Sequence, residues 1–118
     1  MAQQFSPGDD LIFQLESGFG LLRVLAVEQQ EGETIWHLLV YEEFFPDVES
    51  AEAALSEHGS LHPRIAHMAL TNRGFERTPA ALLGNRPVVD EELAAYRAWI
   101  ENGGAVLDRS VFQMIGIR

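Results

Sequence analysis

The sequence contains no cysteine and no lysine. The first absence removes disulfides, thiolate nucleophiles and cysteine-ligated metals together, and is compatible with a reducing compartment. The second excludes Schiff-base catalysis and the lysine of a phosphate loop, because all eight basic residues are arginine. Long apolar runs are also missing: no stretch approaches the ~20 residues that span a bilayer. The start, Met1 to Asp10, has neither a basic nor an apolar leader region, so a cytoplasmic location without membrane association is expected. No Gly-x-Ser-x-Gly elbow occurs, and Gly18 and Gly20 do not extend to a dinucleotide fingerprint because position 23 is Arg23. No catalytic residue, metal or cofactor is predicted.

What is present is 118 residues, 47% hydrophobic and 22% charged. That predicts a single domain over 1–118, since folding at this size buries roughly 65% of the extended chain's surface and needs no metal or disulfide staple. The net charge is −10 and unevenly placed. Residues 1–62 carry twelve acids against Arg23 alone, a net of −11, whereas residues 63–118 carry six acids and seven arginines, a net of +1. Such acidity repels nucleic-acid phosphates and anionic membranes and steers a basic protein partner.

The patterning begins as strands. Ser6-Pro7-Gly8-Asp9 is turn chemistry, Asp10 to Glu16 alternates, Ser17-Gly18-Phe19-Gly20 closes a hairpin onto Leu21 to Val27, and a turn centred on Gly32 leads to Thr34 to Tyr41, a strand buried on both faces. After Phe45 the period lengthens. Asp47 caps a helix bearing Val48, Ala51 and Leu55 that runs to Gly59. Arg64 to Leu70 is a fourth strand, ended by Gly74. Thr78-Pro79 predicts a helical turn over Pro79 to Leu83, and Asp90 predicts a capped helix ending at Asn102-Gly103-Gly104. The tail, 106–117, fits either a buried strand or a short helix capped by Asp108. The predicted class is α+β: a small antiparallel β-meander or partly closed barrel of about four to five strands, packed by two or three short helices.

Three constellations carry candidate chemistry. His58, His62 and His67 have loose metal-ligand spacing beside Glu57, but Gly59 prevents one helix from presenting the first two, and three unrelated histidines fit the spacing as well. Tyr41 to Glu52 places Glu42, Glu43, Asp47, Glu49 and Glu52 around Phe44 and Phe45, aromatic anchors within one sign of charge, which suits a protein interface. The alternatives are a solvated acidic face and phenylalanines that end a core strand. Arg64, Arg73, Arg77 and Arg86 bring four guanidiniums into 23 residues, so Arg73 and Arg77 are a candidate anion clamp, or surface ion pairs with the acidic half.

Gly8-Asp9, Phe13, Gly18 and Gly20, Arg23-Val24-Leu25 and Leu39-Val40-Tyr41 form a series that resembles the immunity-26-like group of bacterial immunity proteins accompanying polymorphic toxins. The resemblance covers about residues 8–41, and it implies a β-rich N-terminal region and a cytoplasmic, non-catalytic inhibitor of a toxin domain. The expected function is thus a protein-interaction domain whose acidic aromatic surface meets a basic protein partner, such as a toxin domain. The alternatives are a small enzyme or ligand-binding domain using the histidines and arginines on an anionic small molecule, and a domain that self-associates through a sheet edge.

Overall fold

The computed structural model describes residues 4–116, without the side chain of His58. Strand β1 (Asp9–Leu15) pairs with β2 (Gly18–Gln30) through the register Leu15 opposite Gly18, so the predicted hairpin forms but its turn is Glu16-Ser17, and Gly18, Phe19 and Gly20 belong to the second strand instead of to the turn. A second tight turn, Glu31-Gly32, takes φ of 51° and 82°. That positive pair suits a type I′ hairpin turn, and glycine accommodates its half without strain. Strand β3 (Glu33–Phe45) follows and completes the meander. It runs four residues beyond the predicted end at Tyr41, so Glu42 to Phe45 belong to the strand. Asp47 caps α1 (Val48–Ser56) as expected, its carboxylate accepting from the Ser50 N–H at 2.7 Å. Gly59 lies in a separate 3₁₀ turn before β4 (Pro63–Thr71).

Beyond β4 the sequence reading needs correction. The predicted helical turn at Pro79 to Leu83 is instead β5 (Ala80–Asn85), an edge strand antiparallel to β1 with Ala81 opposite Ile12. The Thr78-Pro79 cap signal is local, and pairing with the open edge of β1 outweighs it. The helix lies earlier, as α2 (Asn72–Glu76), capped by Thr71, whose hydroxyl accepts from the Gly74 N–H at 3.0 Å. Gly74 therefore sits inside a helix, and the Arg109 backbone runs so close that a Cβ would collide with it. Asp90 does not cap either. Residues Asp90–Leu93 form a 3₁₀ turn ahead of α3 (Ala94–Glu101), and the Glu92 carboxylate folds back to accept from Val89 N–H at 3.0 Å. Asp90 is paired with Arg97 instead. In the tail, α4 (Val111–Met114) is a short helix whose cap is Ser110, not Asp108; Ser110 and Gln113 exchange side-chain-to-backbone bonds at 3.1 and 3.0 Å. Ile117 lies outside the described residues.

The sheet has the order β4-β3-β2-β1-β5, every neighbouring pair antiparallel, and it is open rather than closed into a barrel. Alternation along the strands gives it two apolar faces. One gathers Leu11, Phe13, Leu22, Val24, Trp36, Leu38 and Val40 beneath Phe75 of α2, Val111 of α4 and Ile115 just after it. The other gathers Ile12, Leu21, Leu25, Leu39 and Tyr41 beneath Ala51 of α1, Leu61, Val88 and Leu93. With side chains of this size each contributing about 1.5–3 kcal/mol when fully buried, both faces are committed to packing. The polar residues on the second face, Asp10, Arg23 and His37, are buried with it.

Candidate functional site

The acidic segment winds from the end of β3 into α1. Phe45 turns inward and packs with Phe19 on the second face, so its place is in the core. Phe44, one residue earlier on the opposite side of the strand, is 45% exposed, and Val48 is 38% exposed. Around them Glu42, Asp47, Glu49 and Glu52 are exposed. Glu43 is bound: its carboxylate accepts from the His62 backbone N–H at 2.9 Å and meets His62 Nδ1 at 2.7 Å. Slight burial pushes the Glu43 carboxyl up, but the His62 N–H groups outweigh it and hold it below its usual value; the same bond raises His62. Asp47 is lowered by its bonds from Ser50. Among the described residues no arginine pairs with any acid of this segment.

Arg73 and Arg77 do come together, around an anion the chain supplies. Arg73 forms an ion pair with the Asp108 carboxylate, and Arg77 donates to the Asp108 carbonyl at 3.4 Å. Thr71 Oγ1 donates to the same carboxylate at 2.7 Å. The bonds from Arg73 and then Thr71 lower Asp108 to about 2, so it stays charged throughout the neutral range. Arg86 joins the acidic half through Asp10 at 3.2 Å and the Tyr41 hydroxyl at 2.9 Å. Arg64 donates to the Ile115 carbonyl at 2.7 Å.

The histidines regroup. His62 belongs to Glu43, whereas His67 of β4 stacks on His37 of β3, with ring nitrogens 2.9 Å apart. His62 and His67 thus have different partners, and the His58 side chain lies outside the described residues. His37 Nε2 lies 2.9 Å from the Glu28 carboxylate. A carboxylate only accepts, so His37 carries its proton on Nε2 and its Nδ1 accepts from His67 Nε2–H. Tyr96 and Trp99 of α3 cover both rings, at centroid distances of 4.3 to 5.4 Å. Burial lowers both histidines, and the neighbouring ring helps bring His67 to about 4. Among the described residues no group of three His, Asp or Glu is disposed around a metal.

Sequence reasoning passed over Arg23 as a functional group. Its side chain is fully buried, and every N–H has a carbonyl or carboxylate: Glu92 at 2.6 Å, Asp10 at 3.2 Å, and the backbone oxygens of Gly8, Arg86 and Pro87 at 2.8 to 3.1 Å. The only signal was one arginine within an apolar strand. Burial raises Asp10 despite the two guanidiniums beside it, while on Glu92 burial is the largest single influence but is outweighed by the bonds from Arg23 and the Val89 N–H together with the charges of Arg23 and Arg86, which lower it. This network anchors the 86–93 segment to the sheet. Between that segment, α3 and the β3–β4 surface lies an open groove of ≈ 450 Å³, lined by Leu39, Tyr41, Leu61, Pro63, Ala66, Val89 and Ala95 with Glu91 on its wall. No helix is long and apolar enough to cross a membrane among the described residues. No known protein family, curated protein or solved structure matches the chain.

Proposed function

We propose that this chain is a non-catalytic interaction domain, an immunity-like inhibitor working in the bacterial cytoplasm, whose acidic surface covers a basic protein such as a toxin domain. One observation carries the reading. Phe44 and Val48, both apolar and exposed, stand among Glu42, Glu49 and Glu52, which no arginine neutralises among the described residues. Unpaired acids cost the isolated protein self-repulsion, and a basic partner relieves it while Phe44 and Val48 supply buried area. The resemblance of residues 8–41 to the immunity-26-like group supports the same class. The reading on an anionic small molecule has less support, because Asp108 already occupies the space between Arg73 and Arg77.

The test is co-expression of the chain with the product of the adjacent reading frame, followed by titration of the purified pair. Protection from toxicity, and affinity that falls at least tenfold in the Glu42→Lys, Glu49→Lys, Glu52→Lys variant and with added salt, are expected. These three acids are chosen because Glu43 and Asp47 also hold local structure. Affinity unchanged by the reversal overturns the assignment.

A further inference from the structure

We infer that the groove between the β3–β4 surface and the 86–95 segment is an anchor subsite for a bulky apolar side chain carried on a basic segment of the partner. The inference rests on the interaction reading above and specifies what the partner presents.

The groove's walls are chemically one-sided. Leu39, Tyr41 and Leu61, all buried, line it as its floor, and the lining is completed by Pro63, Val89 and Ala95 among others. Val89 stands 52% exposed although it faces this apolar lining. The volume of ≈ 450 Å³ lies within the roughly 300–1,000 Å³ of formed ligand pockets. Its floor is rigid, since Tyr41 is fixed through Arg86, and Arg86 through Asp10, into the buried Arg23 network. An anchor side chain therefore enters a preformed site, which is where interface energy concentrates.

Charge selects the occupant. Of the groove's charged residues, Arg86 is committed to Asp10 and Glu92 to Arg23. Glu91 is exposed and forms no ion pair among the described residues. His62 stands in the chain between the lining residues Leu61 and Pro63 and binds Glu43 of the acidic segment. Among the described residues the charge left unpaired in the lining is thus negative, that of Glu91, and Glu43 is held next to the lining in the chain by His62. A segment with a leucine-sized or aromatic side chain flanked by lysine or arginine complements both properties.

The experiment uses two 12-residue synthetic peptides of lysine, glycine and serine, one with leucine at its centre and one with serine there, titrated against the full chain. The leucine peptide is expected to bind about tenfold tighter or more, as burial of one such side chain gives. Ala66→Trp, which fills the slot from the edge strand, should abolish that difference and leave the serine peptide unchanged. Val89→Ser, at a site too exposed to unfold the domain, should narrow it. In the Glu42→Gln, Glu49→Gln, Glu52→Gln variant both peptides should weaken alike. Equal binding of the two peptides, weakened by salt, overturns the anchor subsite and leaves the acidic-surface reading standing. Binding of neither peptide overturns both. A dimer that Ala66→Trp dissociates assigns the groove to a second copy and overturns the inference.

Discussion

Replacing Arg23 with methionine keeps the length of the side chain and removes all its N–H donors, so Glu92 loses its guanidinium, Asp10 keeps only Arg86, and the carbonyls of Gly8, Arg86 and Pro87 each lose a donor. Breaking a buried pair in this way costs about 3–5 kcal/mol, mostly because the remaining charges are left unpaired. Urea unfolding should show a lower midpoint at an unchanged slope, and adding Asp10→Asn and Glu92→Gln should recover part of the loss. At His67 the expectation is a pH effect. Its imidazole is held neutral down to about 4 in the folded protein, against about 6.5 in an unfolded chain. The folded state therefore binds fewer protons, so this contribution is complete above pH 6.5, declines as pH falls, and is gone below about 4. His67→Phe should flatten the stability profile between pH 6.5 and 4 in unfolding titrations, whereas an unaltered profile rules out the buried pair as its source. Arg23 did not announce itself as a functional group, and His67 stood out only for its spacing from His58 and His62, not for the ring of His37 on which it stacks. Arg23 and His37 sit within apolar strands, and strand periodicity says which face a side chain takes but not which distant carboxylate or ring meets it there.

Gly74 and Ser110 are where elements meet. In an exposed helix Gly→Ala stabilises, by roughly 0.5–1 kcal/mol. Here the sign reverses, because the added methyl meets the Arg109 backbone and α2 or the tail must move. Gly74→Ala should destabilise by about 1–3 kcal/mol, the usual cost of overpacking, and Ser110→Ala by about 0.5–2 kcal/mol through its lost cap. Thermal midpoints measure both. The meander and α1 were legible because alternation, turn residues and the Asp47 cap all agree over residues 9–56. From residue 72 they conflict. Ala80-Ala81-Leu82-Leu83-Gly84-Asn85 has no β-branched residue, and it is a strand only because β1 offers an unpaired edge. Of the candidate site, the exposure of Glu42, Asp47, Glu49 and Glu52 could be read directly, since most acids stay in solvent, whereas the inward turn of Phe45 and the tie of Glu43 to His62 could not. The groove could not, because its walls come from β3, β4 and the 86–95 segment, which only tertiary packing brings together.

Across the whole molecule the charge of −10 acts against compactness. Screening it should stabilise the fold: raising sodium chloride from 20 to 300 mM is expected to lift the thermal midpoint by several degrees, about what 1 kcal/mol does at this size. The Glu42→Gln, Glu49→Gln, Glu52→Gln variant should respond less, and an equal response would place the repulsion elsewhere. The path of the chain adds a constraint in time. After β4, at one edge of the sheet, it crosses one apolar face as α2, with Phe75 packed onto the strands, and returns as β5 at the opposite edge, beyond three intervening strands. The meander closes through contacts local in sequence, but β5 meets β1 across some seventy residues, and such distant pairings form slowly. Refolding should therefore pass through a state in which β1 has an open edge that a neighbouring molecule's strand can take. Recovery of the native chain should fall as protein concentration rises during refolding, and a recovery independent of concentration would rule out the open edge of β1 as the point of capture.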